Sequence, residues 1–147
     1  MPETAPPSGY ILAFDYGLRR IGVAVGQSLT GTATALETVS NGREPNWAAL
    51  DRLVAEWKPA LLLVGLPLGR EGDETDMSRA ARRFGERIGK RFDRPVGYVD
   101  ERLSSRVAQA RFAEQRAAGD ARRKDAGRMD AMAAQVICEN WLASRDA

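Results

Sequence analysis

A continuous apolar segment between two prolines constrains the fold of this chain more than any other feature. Residues 60–66 read Ala-Leu-Leu-Leu-Val-Gly-Leu, with Pro59 before them and Pro67 after them. A strand that is apolar on both faces is typical of a parallel sheet whose two faces are covered by helices. We therefore expect a central buried strand here, with helices on both sides of the sheet.

The flanking segments predict four more strands. Three runs rich in β-forming residues come before the apolar segment, and the first two are joined by a short connection that suits a hairpin. One further run comes after it. The expected strands are Tyr10–Asp15, Ile21–Gly26, Thr32–Val39, Ala60–Leu66 and Pro95–Glu101. A hairpin meander followed by crossover helices implies an α/β fold with a central five-stranded mixed sheet.

Four helices are expected between and after the last strands. Apolar residues recur at helical spacing from Trp47 to Trp57 and again from Met77 to Ile88. A third helix, capped by Ser104 or Ser105, should reach about residue 118, and a last helix should run from about residue 129 to residue 143. Residues 119–127 lack an apolar anchor and are expected to form a mobile basic loop. We expect residues 1–8 to be a disordered lead and residues 9–147 a single domain.

Composition excludes several kinds of chemistry. The 147 residues include no histidine and one cysteine, Cys138. Histidine-dependent nucleophilic catalysis, imidazole metal sites and an internal disulfide are therefore excluded. No apolar run approaches the roughly 18 residues of a membrane span, so a cytoplasmic protein with no membrane contact is expected. Any chemistry must come from carboxylates, lysine, hydroxyls, the backbone or bound ions.

Three places in the sequence offer carboxylates for such a site. Asp15 ends the first strand, Asp100 and Glu101 end the last strand, and Asp130 shares a helix face with apolar residues that should point to the sheet. Each also has a structural interpretation. Asp15 could cap a turn, Arg102 could form a simple ion pair with the acid beside it, and Asp130 could be a helix N-terminal acid. Since adjacent strand residues point to opposite faces, only one of Asp100 and Glu101 should matter.

If these acids converge, a bound cation would explain them. A carboxylate cluster without histidine suits a hard ion such as Mg²⁺ or Mn²⁺. Two such ions can activate water and stabilise the leaving oxygen in phosphodiester hydrolysis. Residues 79–94 and residues 102–128 each carry a net charge of +5, which favours a nucleic-acid partner bound through its phosphates.

Four motifs in order resemble the YqgF/RuvX family, whose members are described as pre-16S rRNA nucleases and as Holliday junction resolvase-like proteins with an RNase H-like fold. The motifs extend over about residues 9 to 143. They are Phe14-Asp15-Tyr16-Gly17-Leu18-Arg19-Arg20-Ile21-Gly22-Val23-Ala24, Val64-Gly65-Leu66-Pro67-Leu68, Val99-Asp100-Glu101-Arg102-Leu103-Ser104-Ser105 and Asp130-Ala131-Met132-Ala133-Ala134-Gln135.

The resemblance implies a catalytic, metal-binding triad of Asp15, Glu101 and Asp130, with Asp100 as the alternative at the second position. It implies Mg²⁺ or Mn²⁺ as the cofactor and RNA, in particular the pre-16S rRNA, as the substrate, with branched DNA as the other candidate. A monomer or weak homodimer is expected. The basic residues expected to contact the nucleic acid are Arg19, Arg20, Arg102, Arg106, Lys124 and Arg128.

Two other classes of function fit parts of the sequence. In a non-catalytic nucleic-acid-binding module the acids would be only caps and ion-pair partners. An ATPase of the sugar-kinase and actin type shares a strand hairpin with Asp-x-Gly, but Leu18 stands where those phosphate loops usually have Ser or Thr, and 147 residues provide one lobe of the two required. The nuclease is therefore the preferred prediction.

Overall fold

The structure is a computed structural model and describes residues 9–101 and 126–146. Its strands are β1 (Tyr10–Tyr16), β2 (Arg20–Gln27), β3 (Thr32–Ser40), β4 (Leu61–Leu66) and β5 (Val96–Asp100). The helices within these ranges are α1 (Trp47–Trp57), α2 (Asp76–Phe92) and α3 (Ala126–Asp146).

The five strands form one mixed sheet in the order β3-β2-β1-β4-β5. The first three strands pair antiparallel, whereas β4 pairs parallel with both β1 and β5. The predicted hairpin meander and five-stranded mixed sheet are therefore confirmed. The apolar segment lies inside the sheet as β4, where Leu62, Leu63 and Val64 are fully buried.

Helices cover both faces of this sheet, as the apolar segment predicts. On one face, Phe14 of β1 belongs to a core that contains Leu50 of α1 and Phe84 of α2. On the other face, Ala13 packs in a second core with Ile137 of α3. Successive strand residues alternate between these two cores. Asp15 therefore continues the row of Ile11 and Ala13 on the side of α3.

Two predicted boundaries were wrong in ways that affect the site. Strand β5 ends at Asp100, so Glu101 follows the strand instead of ending it. Helix α3 begins at Ala126, three residues before the predicted start, and ends at Asp146. Residues 126–128 have no large apolar side chain, so periodicity could not locate them. Asp130 consequently lies in the second turn, and the first turn holds no acidic residue, which removes its interpretation as a helix N-terminal acid.

Other predictions lie outside the described residues. These are the lead at residues 1–8, the helix predicted to begin at Ser104 or Ser105, and residues 119–125 of the predicted basic loop. Residues 126 and 127 of that loop belong to α3 instead.

Helix α3 is attached to the antiparallel half of the sheet by a polar contact and by close packing. The side-chain oxygen of Gln135 accepts a hydrogen bond of 2.9 Å from the backbone amide of Ala35, next to a bulge in the pairing of β2 with β3. Further along, the Sγ atom of Cys138 lies where a Cβ of Gly26 would be. The bulge and the missing side chain let the helix lie close to the sheet.

Candidate active site

The candidate acids meet at one edge of the sheet because β1, β4 and β5 are parallel. Parallel strands bring their carboxyl ends to the same edge, which is where open α/β sheets bind ligands. Asp15 lies near the end of β1, and Glu101 comes directly after β5. Strand β4 lies between them.

Asp15 and Glu101 form a carboxyl pair across β4 that is largely shielded from solvent. Asp15 is partly buried, and the exposure of Glu101 is 7%. The two side chains share a hydrogen bond. Because two carboxylates have no proton to donate, this contact requires that one of the two groups be protonated.

The surroundings raise the pKa of both acids. Burial has the largest effect on the pKa of Asp15, and the hydrogen bond and negative charge of Glu101 and the charge of Asp130 raise it further. Burial also raises the pKa of Glu101, to which the charge of Asp100 adds, whereas the hydrogen bond from Asp15 acts in the opposite direction. The two acids therefore share one proton at the hydrogen bond between them.

Gly65 of β4 makes room for this pair. A Cβ at Gly65 would lie 2.7 Å from Cγ of Glu101 and 2.5 Å from Cδ1 of Ile137. The Glu101 side chain thus passes over the strand at a position without a side chain of its own. Of the two alternatives at this position, Asp100 and Glu101, the fold brings Glu101 to Asp15.

A second glycine, Gly22, leaves room for α3 to bring Asp130 close to Asp15. The cross-strand partner of Asp15 in β2 is Gly22, and a Cβ at Gly22 would overlap the backbone carbonyl of Asp130. The Asp130 charge raises the pKa of Asp15. Its own carboxylate is 27% exposed and is paired with Arg20, whose Nε donates a hydrogen bond of 2.7 Å to Oδ2.

The donor atoms of the three acids suit a hard divalent cation, although their side chains are not arranged as a ready metal site in the described part of the chain. Among residues 9–101 and 126–146, no three side chains of Asp, Glu, Cys or His lie close enough together to form a ready metal-binding group. A shared proton and Arg20 instead offset the negative charge of Asp15, Glu101 and Asp130. All their donor atoms are carboxylate oxygens, the ligands preferred by Mg²⁺ and Mn²⁺.

The basic residues predicted to contact nucleic acid are only partly described. Arg19 is exposed in the connection between β1 and β2, and Arg20 is paired with Asp130. Arg102, Arg106, Lys124 and the side chain of Arg128 lie outside the described residues.

The basic helix α2 offers fewer free cations than its composition indicates. It packs on the sheet face opposite α3. Four of its arginines are engaged in ion pairs with acidic residues of α1, α2 and two loops. The pairs are Arg79–Asp76, Arg82–Glu74, Arg87–Glu44 and Arg91–Asp51. These four ion pairs offset part of the positive charge that the sequence places on α2.

Sequence reasoning missed the structural importance of Gly22 and Gly65. Both glycines interrupt strands that are otherwise apolar, and a glycine inside a strand often marks the close approach of another group. That signal was present in the sequence, but it does not tell which group approaches. The pairing of Arg20 with Asp130 joins residues 110 positions apart and has no local sequence signal.

The strand order, the helices on both faces and the acids at the carboxyl edge define an RNase H-like α/β fold. The RuvC structure from Thermus thermophilus in complex with a Holliday junction substrate has a similar fold, with a TM-score of 0.55 and 15% sequence identity over 95% of this chain and 96% of that chain. A second Thermus thermophilus RuvC structure matches with a TM-score of 0.50 and 14% identity, over 93% and 96% of the two chains.

This chain belongs to the RuvX family. The family model described as "RuvX: Holliday junction resolvase" matches residues 9–144. A relative from Hydrogenovibrio crunogenus is 44% identical over 95% of this chain and 97% of its own length. Another from Xanthomonas euvesicatoria is 45% identical over 99% of this chain and 96% of its own length. Each of these two proteins is named "Putative pre-16S rRNA nuclease".

Proposed function

We propose that this chain is a divalent-metal-dependent nuclease that hydrolyses phosphodiester bonds of RNA in the maturation of the pre-16S rRNA end. The observation that carries the proposal is the buried carboxyl pair of Asp15 and Glu101 beside Asp130. A buried acid needs a compensating partner. Here two acids are in contact at the edge of the sheet where this fold class binds ligands. This arrangement favours a functional site over the alternative in which each acid separately caps a turn or helix or forms an ion pair.

In this proposal Asp15, Glu101 and Asp130 are the catalytic residues and hold Mg²⁺ or Mn²⁺. When bound, the cation supplies activation of water and stabilisation of the leaving oxygen in phosphodiester hydrolysis. Asp15 and Glu101 provide a rigid part of the site, because β1, β4 and β5 fix their backbones. Asp130 provides a more exposed oxygen that the substrate side can reach.

Arg20 has a positioning role in this site. Its Nε holds Oδ2 of Asp130, which fixes the carboxylate and leaves Oδ1 available. Partners that orient a ligating carboxylate affect both affinity and activity. The exposed Arg19 in the connection between β1 and β2 is a proposed contact of substrate phosphate. Arg102, Arg106, Lys124 and Arg128 remain proposed contacts of the same kind.

RNA is the proposed substrate because the relatives that match nearly the whole chain are named for pre-16S rRNA. The description of the family favours branched DNA as the second candidate. None of the helices in the described part of the chain is long and apolar enough to cross a membrane. We also propose a cytoplasmic location and a monomer or weak homodimer.

The decisive experiment compares the wild type with Asp15→Asn on a pre-16S rRNA fragment and on a four-way DNA junction, in Mn²⁺ and in EDTA. Wild-type cleavage of RNA that requires Mn²⁺ and is abolished by Asp15→Asn is the expected result. Asp93→Asn is the control, because Asp93 caps α2 in the left-handed conformation, which asparagine tolerates. Full activity of Asp15→Asn would refute the assignment, and preferential cleavage of the junction would identify DNA as the substrate.

A further inference from the structure

A recess of about 170 Å³ opens on the α2 side of the sheet, close to the proposed active site. We refer to it as the Tyr16 recess. Tyr16 directly follows Asp15 in β1, and successive strand residues point to opposite faces. The recess and the carboxyl cluster thus lie at the same edge of the sheet but on its two different sides. Its lining residues are Tyr16, Pro45, Ala80, Arg83, Phe84 and Arg87.

One wall of the Tyr16 recess is aromatic and firmly packed. The ring centroid of Tyr16 is 4.9 Å from that of Phe84, with an angle of 32° between the planes. Phe84 is buried and in turn packs edge-on against Phe14 of β1. This wall is therefore part of the core and cannot shift much when a ligand binds.

The rim of the Tyr16 recess carries two cations with different surroundings. Arg87 is held by an ion pair with Glu44 and lies over the ring of Trp47, with 5.0 Å from its Cζ atom to the ring centroid. Arg83 is exposed, and within the described part of the chain it has no hydrogen bond or ion pair. It differs in this respect from Arg79, Arg82, Arg87 and Arg91 of the same helix.

We propose that the Tyr16 recess binds one unpaired nucleobase of the RNA substrate, and that Arg83 binds a phosphate next to that base. The inference rests on the proposed nuclease function and adds a subsite to it. Aromatic walls accept a base of any identity by stacking, and a nearby free guanidinium binds the backbone. A volume of about 170 Å³ has room for a single base.

This subsite would select the form of RNA that is cut. A strand bound at Asp15 can place a neighbouring base in the recess only if that base is unpaired and turned away from its neighbours. Single-stranded ends and loops meet this requirement, whereas a continuous duplex does not. The recess therefore provides a physical basis for cleavage at single-stranded sites with little dependence on sequence.

The test measures binding in EDTA, so that it does not depend on cleavage. Affinity for a short fluorescein-labelled single-stranded RNA is measured by anisotropy for the wild type, Arg83→Gln, Tyr16→Leu and Tyr16→Phe. Arg83→Gln and Tyr16→Leu should each weaken binding by about tenfold, at the lower end of what one stacked base contributes. Tyr16→Phe keeps the ring and should bind within about twofold of the wild type.

The matched control is Arg79→Gln, which removes a cation of the same helix that is paired with Asp76 and does not line the recess. It should change affinity by less than about twofold, since its charge is already neutralised. A second probe is the same strand with abasic nucleotides. The wild type should bind it more weakly than the normal strand, whereas Tyr16→Leu should bind both equally.

The possible outcomes separate this inference from the proposed function. The subsite is overturned if Arg83→Gln and Tyr16→Leu both bind RNA as tightly as the wild type does. It is also overturned if the wild type binds normal and abasic strands equally. Both conclusions hold even if Mn²⁺-dependent cleavage is present. Base-dependent binding through Tyr16 and Arg83 in a protein that cleaves nothing supports the subsite and overturns the nuclease assignment. Arg83→Gln keeps the test decisive if Tyr16→Leu fails to fold, because Arg83 is exposed.

Discussion

The α-carbon of Gly22 lies directly against the backbone carbonyl of Asp130. A Cβ at Gly22 would overlap that oxygen and would come within 2.8 Å of the amide nitrogen of Ala131. Gly22 is also the cross-strand partner of Asp15. The distance at which α3 brings Asp130 to Asp15 is therefore set by the absence of a side chain at residue 22.

Replacing this glycine should disturb both stability and the site. Gly22→Ala forces backbone atoms apart, and overpacking of this kind costs about 1–3 kcal/mol in the free energy of unfolding. It should also reduce cleavage, because Asp130 moves away from Asp15. Urea unfolding and RNA cleavage test the two effects. Gly42→Ala is the control, since nothing lies within 4 Å of a Cβ at Gly42, and equal behaviour of the two variants would contradict the prediction.

Removing one acid of the buried pair should stabilise the protein in EDTA at neutral pH. The pKa of Asp15 is raised in the folded state by burial and by Glu101. A raised folded pKa gives stability that is complete below the unfolded pKa, about 3.9 for Asp, and is lost as pH rises through the folded pKa. Asn at residue 15 does not ionise, so the Asp15→Asn variant does not lose this stability as pH rises.

The Tm of Asp15→Asn should therefore exceed that of the wild type at pH 7 by roughly 2–4 °C for each kcal/mol gained, and the difference should shrink toward pH 4. Thermal melts over this pH range provide the measurement. A constant difference across the range, or a lower Tm of the variant at pH 7, would show that the pKa of Asp15 is not raised in the folded state.

Addition of Mn²⁺ should reverse this order. A cation that binds only the folded state stabilises it by about 2.7 kcal/mol at a hundredfold excess over Kd, or roughly 5–10 °C in Tm. Asp15→Asn and Asp130→Asn should lose most of this increase, whereas Asp93→Asn should keep it. Equal shifts in all four proteins would place the bound ion elsewhere.

The general fold could be predicted because its signals are local. The apolar run that became β4 is flanked by prolines, and the stripe from Trp47 to Trp57 has a clear helical period. Both elements formed at nearly the predicted positions. The start of α3 was predicted three residues late, because Ala126 and Gly127 add nothing to an apolar pattern.

The candidate site was predictable as a set of residue types but not as a geometry. The hairpin and the parallel strands explain why Asp15 and Glu101 lie at the same edge of the sheet. The choice of Glu101 over Asp100 could not be made from the residues alone, since it depends on the space above Gly65. The ion pair of Arg20 with Asp130 depends on the docking of a distant helix, which no local pattern specifies.

The thiol of Cys138 should report the separation of α3 from the sheet. Burial and the neighbouring Glu139 raise its pKa to about 12, and its Sγ lies against Gly26. Alkylation by iodoacetamide at pH 8 should be at least about a thousandfold slower in the native protein than in urea, because thiolate is the reactive form. Labelling of the native protein at the unfolded rate would mean that α3 is not docked.

The stability of the protein should also fall as pH rises from about 9 toward 12, since the Cys138 thiol ionises at lower pH in the unfolded chain than in the folded one.

Arg20→Gln should separate a positioning role from a structural one. The Arg20–Asp130 pair has side chains that are 47% and 27% exposed, so its loss should cost at most about 1 kcal/mol of stability. Loss of a partner that orients a ligating carboxylate should lower cleavage by about 10–100-fold. The loss should fall mainly on kcat if Arg20 positions Asp130, and mainly on KM if Arg20 only contacts the substrate. Arg52→Gln is the matched control, because Arg52 forms a similar exposed pair of 2.8 Å with Glu37. Both variants should have nearly the same Tm, and only Arg20→Gln should be impaired in cleavage. Equal cleavage by the two variants would reduce Arg20 to an ordinary surface ion pair.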